Sequence, residues 1–288
     1  MSRSLAFCLL AAAMVAPSAS AQAPAVSSQP AQADALHSAV DAATRTAGNR
    51  ARDAYRHPAE TLAFFGVKPS DTVVEIWPGG GWYTEILAPY LASGGGTLIL
   101  ASPEWGRGGI VKLKTANAAL YGNLTVADFP MFDGKAAEIA RGTVDAVLTF
   151  RNVHNWRMGY KRDDKVDYSV DAFRQIFAML KPGGVLGIED HRLPESASDE
   201  RERTSGYIKT STVVRLAEQA GFKLAGSSEI NANPKDSADW PNGVWTLPPT
   251  FALEDQERAK YAAIGESDRM TLKFVKPATA QAQPERGR

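Results

Sequence analysis

The sequence predicts an α/β protein with a doubly wound, mostly parallel β-sheet. The first observation is a strand, a glycine turn and an amphipathic helix in direct succession within residues 73–91, which is the nucleotide-binding unit of such sheets. The second is that apolar, strand-like runs alternate with helical patterns from there to about residue 275. This alternation is typical of parallel sheets covered by helices on both faces.

The amino terminus has the three parts of a secretory signal peptide. Arg3 supplies a positive charge, residues 5–15 form an apolar run, and Ala19-Ser20-Ala21 offers small residues for cleavage. The run is too short to span a bilayer, and the alternative interpretation is a buried N-terminal helix. We expect a signal peptide over residues 1–21 and export of the mature protein to the periplasm. The single cysteine, Cys8, lies in this leader, so cysteine chemistry is excluded from the mature chain.

The remaining chain is predicted to form one domain with flexible ends. Removing 21 residues from 288 leaves 267, enough for one large core. Residues 22–35 predict a flexible linker, residues 36–276 the domain, and residues 277–288 a disordered tail. The chain has 32 Lys plus Arg and 32 Asp plus Glu, so we expect neither nucleic acid nor an anionic membrane as a partner.

The stretch at residues 73–91 organises the rest of the chain. Residues 73–76 form an apolar run typical of a buried parallel strand. Three consecutive glycines, residues 79–81, allow a tight turn and a close approach to a ligand. Apolar side chains then recur at helical spacing, and Pro89 is expected to kink this helix or end it early. The residues of that helical face are Tyr83, Ile86, Leu87, Tyr90 and Leu91.

Two common nucleotide motifs are excluded at this turn. A dinucleotide fingerprint needs a third glycine three residues after Gly81, where the chain has Thr84. A phosphate-binding loop of the ATPase kind needs Gly-Lys-Ser or Gly-Lys-Thr, which the sequence lacks here. A plain tight turn remains the alternative to a cofactor site.

The pattern resembles the first motif of class I S-adenosylmethionine (SAM) methyltransferases, which runs acid, apolar, glycine, any, glycine, any, glycine. Glu75 is the acid, Gly79 and Gly81 are the last two glycines, and Trp77 replaces the first glycine. The resemblance implies that these four residues and Tyr83 border SAM. It also implies a seven-stranded sheet with an antiparallel last strand.

The next two strands are expected to hold the nucleoside part of SAM. Ser102 follows the second strand, residues 97–101, where the family usually has a ribose-binding acid, and Glu104 is the nearest carboxylate. A third strand, residues 124–129, includes Asp128, at the family position that accepts from the adenine amino group. Phe129 is the apolar neighbour expected to pack on the ring.

The fourth and fifth strands carry the strongest resemblance. Residues 144–150 form the fourth strand, and the loop that follows, which includes Asn152, faces the transferred methyl group in this family. Leu-Lys-Pro-Gly-Gly at residues 180–184, placed before an apolar fifth strand at 185–190, is a well-known feature of class I methyltransferases. The chain as a whole looks like a family of predicted exported bacterial methyltransferases.

The flanking segments are expected to cover this site. Residues 36–65 are helical in composition and dense in charge; in this family such a helix often lies over the cofactor, and the alternative is a solvated face. Thr210 or Ser211 is expected to cap a helix that precedes strand six, residues 222–228. The last strand should run back antiparallel, so the insertion at residues 229–267 must project over the site. Its Trp240 and Trp245 favour a lid over a disordered linker.

Methyl transfer requires an aligned acceptor and, for an oxygen or amine acceptor, a base. His154 and His191 follow strands four and five, at the edge of the sheet where ligands bind, and histidine has a suitable pKa. Tyr207 is a weaker catalytic candidate. A catechol-type metal site would need a carboxylate after strand four, where the chain has Arg151-Asn152, so we expect no metal.

Two functions remain open at this point. The first is SAM-dependent methyl transfer to a small-molecule or lipid-like acceptor. The second is an exported, non-catalytic binding protein that kept the fold, which Trp77, Ser102 and the leader favour.

Overall fold

The computed structural model describes residues 28–132, 135 and 138–278. The predicted signal peptide, residues 22–27 of the predicted linker and nearly all of the predicted tail lie outside the described residues. Among those described, no helix is long and apolar enough to cross a membrane.

The fold is the predicted α/β architecture, with a mostly parallel sheet in the order β3-β2-β1-β4-β5-β8-β7. A two-residue strand, β6, pairs with the carboxyl-terminal end of β5, at Arg192 and Leu193. The strands are β1 (Thr72–Ile76), β2 (Thr97–Ala101), β3 (Thr125–Ala127), β4 (Val144–Phe150), β5 (Leu180–Leu193), β6 (Ile208–Lys209), β7 (Lys223–Ser228) and β8 (Arg269–Val275).

Helices cover both faces of this sheet. The helices are α1 (Ser28–Val40), α2 (Ala47–Arg50), α3 (Asp53–Arg56), α4 (Pro58–Phe65), α5 (Thr84–Ala92), α6 (Gly108–Ala116), α7 (Ala118–Tyr121), α8 (Val153–Arg157), α9 (Ser169–Met179), α10 (Asp199–Thr204), α11 (Thr210–Gln219) and α12 (Arg258–Ile264). Short 3₁₀ turns lie at Glu104–Gly106 and Gly243–Thr246.

Strand directions confirm the expected arrangement. Strands β1 to β5 pair in parallel, whereas β8 is antiparallel to both β5 and β7. Strand β7 therefore runs in the same direction as β5. The carboxyl ends of the parallel strands meet at one edge of the sheet, where ligands bind in this class of fold.

Neighbouring residues of the central strands supply two separate cores. Val73 and Leu148 pack in the layer formed with α4 and α5, while Val74 and Val147 pack in the layer formed with α9 and α11. Side chains alternate across a strand, so a strand buried on both faces needs a continuous apolar run. The predicted strands at β1 and β4 were recognisable for this reason.

Of the two effects expected of Pro89, an early end of the helix is wrong, because α5 continues through it to Ala92. The ring removes the bond to the Glu85 carbonyl, but neighbouring side chains hold the helix. Ile86, Leu87 and Tyr90 are fully buried, and burial of one such side chain contributes about 1.5–3 kcal/mol. Packing therefore exceeds the local cost of the proline.

The predicted linker is also wrong over residues 28–35, which belong to α1. This helix packs against α5 with Leu36 and Ala39 buried, and Gln32 Nε2 donates to the Val67 carbonyl at 3.0 Å. The charged segment at 36–65 forms the end of α1 and three further short helices.

Two smaller corrections concern helix and strand ends. Lys209 occupies the cap position of α11 without a side-chain hydrogen bond, and the hydroxyl and amide of Ser211 bond to Glu195 instead. The glycines before the fifth strand belong to β5, since Gly183 N donates to the Lys276 carbonyl at 2.8 Å and Gly184 O accepts from Lys276 N at 2.9 Å.

Candidate active site

A cavity of about 390 Å³ opens at the carboxyl edge of the sheet. The glycine turn, the loop after β4, the end of β5, the segment before α4 and the insertion all contribute to it. Its lining residues are Asn49, Arg52, Arg56, Trp77, Pro78, Gly79, Gly80, Trp82, Phe150, Arg151, Asn152, His154, Asn155, His191, Val244, Trp245, Pro248, Pro249, Thr250, Glu266 and Ser267. We call this cavity the central pocket.

The glycine turn presents its backbone to the central pocket. Gly79 has a φ of +59°, in the left-handed region that favours glycine, and a Cβ there would meet no atom within 4 Å. Gly80 has the same open space without a positive φ. Gly81 faces away from the pocket, since its Cβ would approach Leu113 to 2.7 Å.

The start of α6 covers part of the same turn. A Cβ on Gly109 would lie 2.0 Å from the Gly79 carbonyl oxygen and 3.0 Å from the Gly80 Cα, a separation that only glycine permits. The backbone of Gly109 therefore packs directly on that of Gly79 and Gly80. The opposite side of the glycine turn is the one that is open toward the central pocket.

Glu75 supports the turn from inside the protein. It is buried and does not line the pocket, and its Oε2 accepts a hydrogen bond from Thr84 Oγ1 at 2.6 Å. Burial raises the pKa of Glu75 to about 7, against the smaller opposing effect of the Thr84 hydroxyl. The carboxyl group thus ties β1 to the start of α5 across the glycine turn.

Tyr83 is likewise a core residue. It is fully buried and stacks on Phe150 with ring centroids 3.5 Å apart. Burial raises the pKa of its hydroxyl well above the usual value. Tyr83 does not line the central pocket.

The Trp77 side chain lies across the ends of the first three strands. Its Nε1 donates to the Phe129 carbonyl at 2.9 Å, and its ring meets Trp105 and Trp156 edge to face at 5.1 and 6.1 Å. The residue holds a left-handed backbone with φ of +46°. The indole therefore contacts the backbone of Phe129, the residue that the family resemblance places beside the adenine ring.

Two of the other expected nucleoside contacts, Ser102 and Asp128, are engaged within the protein. Arg107 forms an ion pair with Asp128 and donates from Nε to the Ser102 carbonyl at 3.1 Å. Ser102 is buried and Glu104 lies in a 3₁₀ turn; neither lines the central pocket. Of the predicted cofactor residues, Trp77, Gly79 and Asn152 line it, while Glu75, Gly81, Tyr83, Ser102, Glu104, Asp128 and Phe129 do not.

His154 and Asp190 form a buried hydrogen-bonded pair at the pocket wall. His154 Nδ1 lies 2.7 Å from Asp190 Oδ1, and because an ionised carboxylate only accepts, the proton is on Nδ1 and Nε2 is the basic atom. Asp190 also accepts from the backbone amides of His154 at 3.2 Å and His191 at 2.8 Å. This arrangement orients an imidazole for proton transfer.

His191 is the second imidazole of the wall. Its ring lies 5.1 Å from that of His154, and its Nδ1 lies 2.5 Å from the Ser267 hydroxyl. Burial lowers the pKa of His191 well below its usual value, and His154 and Arg151 lower it further. The structure brings the two predicted histidines together, with His191 neutral at pH 7.

The expectation of no metal rested on the lack of a carboxylate after strand four, and the fold groups three possible ligands. Single atoms of His154, Asp190 and His191 lie within 4.8 Å of one another. However, the Asp190 carboxylate already accepts three hydrogen bonds from the two histidine residues. That is the geometry of an orienting carboxylate, which in metal sites belongs behind the ligating histidine.

An arginine cluster forms the opposite wall. Glu266 accepts from Arg52 Nε at 2.6 Å and from Arg56 Nε at 2.9 Å, and Arg269 Nη1 adds a third contact at 2.9 Å. Burial alone would raise the pKa of Glu266, but these guanidinium groups hold it at about 2. Sequence analysis missed this group; Arg52 and Arg56 stand four residues apart in the charged segment, which was the available signal.

Trp82 anchors the arginine cluster to the glycine turn. The Arg56 guanidinium lies 4.9 Å from the Trp82 ring centroid, and that of Arg45 lies 5.3 Å from it. The indole Nε1 donates to the Asn49 carbonyl at 2.8 Å. Contrary to the solvated-face alternative, the segment around α2 and α3 lines the site.

The insertion covers the pocket and is fastened to the domain. Trp245, Val244 and Pro248 line the central pocket, whereas Trp240 does not: its Nε1 donates to Asp236 at 2.6 Å. Asp236 also accepts from the Tyr207 hydroxyl at 3.0 Å and from the Asp268 amide at 2.8 Å. Tyr207 therefore lies outside the pocket, and its hydroxyl secures the insertion.

Comparison with solved structures reveals proteins of the same fold at low identity. A SAM-dependent methyltransferase from Aquifex aeolicus is 14% identical, with a TM-score of 0.51 over 85% of this chain and 98% of that chain. A protein assigned as a sarcosine dimethylglycine methyltransferase from Galdieria sulphuraria is 14% identical, with a TM-score of 0.53 over 80% and 85%. The (4+2)-cyclase SpnF is 13% identical, with a TM-score of 0.51 over 78% and 82%.

These likenesses show that the chain has the fold of SAM-dependent methyltransferases. No protein family matches it in sequence, and no curated protein does. Because one structure of this fold carries the name of a cyclase, the reaction has to be argued from the site.

Proposed function

We propose that the protein is a methyltransferase that transfers the sulfonium methyl group of SAM to a small-molecule or lipid-like acceptor. The observation that carries this proposal is that one cavity is lined both by the backbone of Gly79 and Gly80 and by the Asp190-oriented His154. One fold neighbour is a SAM-dependent methyltransferase and another is assigned as a methyltransferase, which supports the choice of cofactor.

In this proposal the protein aligns the two reactants and moves one proton. Displacement at a sulfonium methyl needs the acceptor in line with the S–CH₃ bond, and orientation supplies about 7–11 kcal/mol of such a barrier. His154 Nε2 takes the proton of an oxygen or amine acceptor, while Asp190 holds Nδ1–H and stabilises the resulting imidazolium. Neutral His191 completes the wall as a hydrogen-bonding group.

Calorimetry with SAM and S-adenosylhomocysteine tests the proposal. Gly80→Ala should weaken binding of both by about 1–3 kcal/mol, roughly 5- to 150-fold, because a methyl group enters the cavity. Gly80 suits this test because its φ is not positive and its Cβ would meet no protein atom. Gly48→Ala, at an equally open position outside the pocket lining, should bind like the parent chain.

A second candidate is a non-catalytic protein that binds a small ligand other than SAM. It is favoured by the Trp77 hydrogen bond to the Phe129 carbonyl and by the Arg107–Asp128 ion pair, which engage two residues expected to contact the adenosine. Absence of heat with SAM and S-adenosylhomocysteine at millimolar concentration, with the fold intact by circular dichroism, would decide for this candidate.

Export to the periplasm is part of the proposal. The leader-like residues 1–21 and their small-residue cleavage site support it. Intact-mass measurement of protein from the native host should give an N-terminus near Gln22, and a retained Met1 would contradict it.

A further inference from the structure

We infer that the central pocket recognises a small ligand through a carboxylate or similar monoanionic group, held by Arg56 and Arg151 beside the histidine pair. The apolar part of this ligand lies against Trp82 and Trp245. The inference deepens the proposed function, on which it rests for naming the ligand as the methyl acceptor.

The charges around the pocket do not balance. Three arginines, Arg52, Arg56 and Arg151, line it against one carboxylate, Glu266. Directly behind this wall lie one more arginine and two more carboxylates: Arg269, Glu189 and Asp190. Four arginines thus face three carboxylates. With neutral imidazoles, one positive charge remains without a partner, and since Arg56 is buried, such a charge is costly.

Two details of the arginine cluster also indicate that it lacks an anionic partner. Burial lowers the pKa of Arg56 to about 9, and repulsion by Arg151 contributes, although Glu266 opposes it. Arg52 Nη2 is buried and has no hydrogen-bond partner among the described residues. A buried donor without a partner costs as much as a lost hydrogen bond, so an incoming acceptor group would be bound favourably.

Arg151 is the side chain best placed to receive an anion. Only its Nη1 makes side-chain hydrogen bonds to described residues, both long, at 3.2 and 3.3 Å to Glu189. The remaining N–H groups of its planar fork match a carboxylate in a bidentate pair. The residue also holds a left-handed backbone with φ of +63°, an unfavourable conformation of the kind that clusters at ligand sites.

The rest of the lining fits an anion with an apolar body. The side chains of Asn49, Asn152 and Asn155 add further polar groups, and the indole rings of Trp82 and Trp245 provide flat apolar walls. A cationic ligand or a metal ion would instead add to the unpaired positive charge.

The test uses three probes of one shape and different charge: benzoate, benzamide and benzamidinium. Each is titrated into the full mature chain by calorimetry and by tryptophan fluorescence. Benzoate should bind at least about tenfold more tightly than benzamide, the effect of charge-assisted hydrogen bonds, and benzamidinium should bind least. Equal binding of benzoate and benzamide, preference for benzamidinium, or binding of none of the three overturns the inference.

Substitutions locate the anion. Arg151→Gln should lower benzoate affinity at least about tenfold and leave benzamide affinity unchanged. Arg174→Gln removes the same charge from an exposed i,i+3 pair outside the pocket and should change neither. If Arg151→Gln fails to fold, Arg151→Lys, which keeps the charge and loses the bidentate fork, serves as the second variant and should also weaken benzoate binding. Unchanged benzoate binding in the folded variants overturns the assignment.

A competition experiment distinguishes whether the bound carboxylate belongs to the methyl acceptor or to the amino-acid end of the cofactor. If the anion site belongs to the acceptor, benzoate and S-adenosylhomocysteine bind together. If it belongs to the amino-acid end of the cofactor, S-adenosylhomocysteine displaces benzoate while 5′-methylthioadenosine, which lacks that end, does not; this result overturns the acceptor assignment. Absence of cofactor binding alongside tight benzoate binding contradicts methyl transfer while the anion site itself stands.

Discussion

Trp77 stands at the point where the chain departs most from the methyltransferase pattern, and replacing it gives the sharpest test of the site. The residue has φ of +46°, where a residue with a Cβ pays roughly 1–2 kcal/mol. Glycine has no such steric cost, but it loses more conformational entropy on folding, which destabilises the folded state by about 0.5–1 kcal/mol relative to alanine. We therefore compare Trp77→Gly with Trp77→Ala.

Both variants lose the same interactions, so their difference isolates the backbone. Each loses the half-buried indole and its hydrogen bond to Phe129, at a cost of about 2 kcal/mol, roughly half of that for a fully buried Trp. The balance of the two backbone effects leaves Trp77→Gly more stable than Trp77→Ala by about 1 kcal/mol. For a domain of this size the melting temperatures should differ by about 2–4 °C.

Ligand binding by the same pair tests the position of the indole. Because the indole contacts the backbone of Phe129, beside which the resemblance places the adenine ring, Trp77→Gly should bind S-adenosylhomocysteine more tightly than the parent chain. Calorimetry measures the affinity, and thermal unfolding measures the stability. If Trp77→Ala is as stable as Trp77→Gly, the argument from left-handed strain is wrong. If Trp77→Gly binds S-adenosylhomocysteine more weakly, the indole is a contact surface for the cofactor rather than an obstacle.

Three further predictions follow from single contacts. The pKa of Glu75 is raised from 4.5 to about 7, so the folded state holds a proton that the unfolded state releases. Stability should fall by on the order of 3 kcal/mol as pH rises from about 4.5 through about 7, and thermal unfolding of Glu75→Gln should show a smaller decrease. Asp190→Asn should lower turnover by about 10²-fold or more with cofactor affinity unchanged, because the His154 tautomer is lost; equal turnover would exclude this pair as the base. Trp245→Ala should weaken ligand binding, whereas Trp240→Ala should lower the melting temperature with affinity retained, since only Trp245 lines the pocket; the reverse outcome would refute this division.

The fold was predictable where the signal is local. Strand β4 was predicted at its observed bounds because a strand buried on both faces needs an uninterrupted apolar run. The antiparallel last strand followed from alternation and from the family resemblance. The expected early end at Pro89 did not occur because the proline penalty is local, whereas the burial of Ile86 and Leu87 that outweighs it depends on the assembled core.

The site was predictable only in part, because its contacts are long-range. His154 and His191 follow neighbouring parallel strands, so topology alone brings them together. The Arg56–Glu266 pair joins residues 210 positions apart, and no spacing rule connects them. Side-chain direction was also beyond the sequence: Trp77 and Tyr83 lie in the motif, yet one crosses the strand ends and the other is buried on Phe150.

The end of β5 shows how one strand can separate the two tasks of the proposed site. Successive side chains of a strand point to opposite faces, and Gly187 packs against Phe65 in one layer while Ile188 belongs to the other core. Glu189, on the Gly187 face, therefore meets Arg151 and Arg269, and Asp190, on the Ile188 face, meets His154. One carboxylate positions the groups that bind charge, and its neighbour orients the group that moves a proton. A shift of one residue in the β5 register would place Asp190 among the arginines and His191 beside His154, leaving the proposed base without an orienting carboxylate, so the site as proposed depends on the register of β5 against β4 and β8.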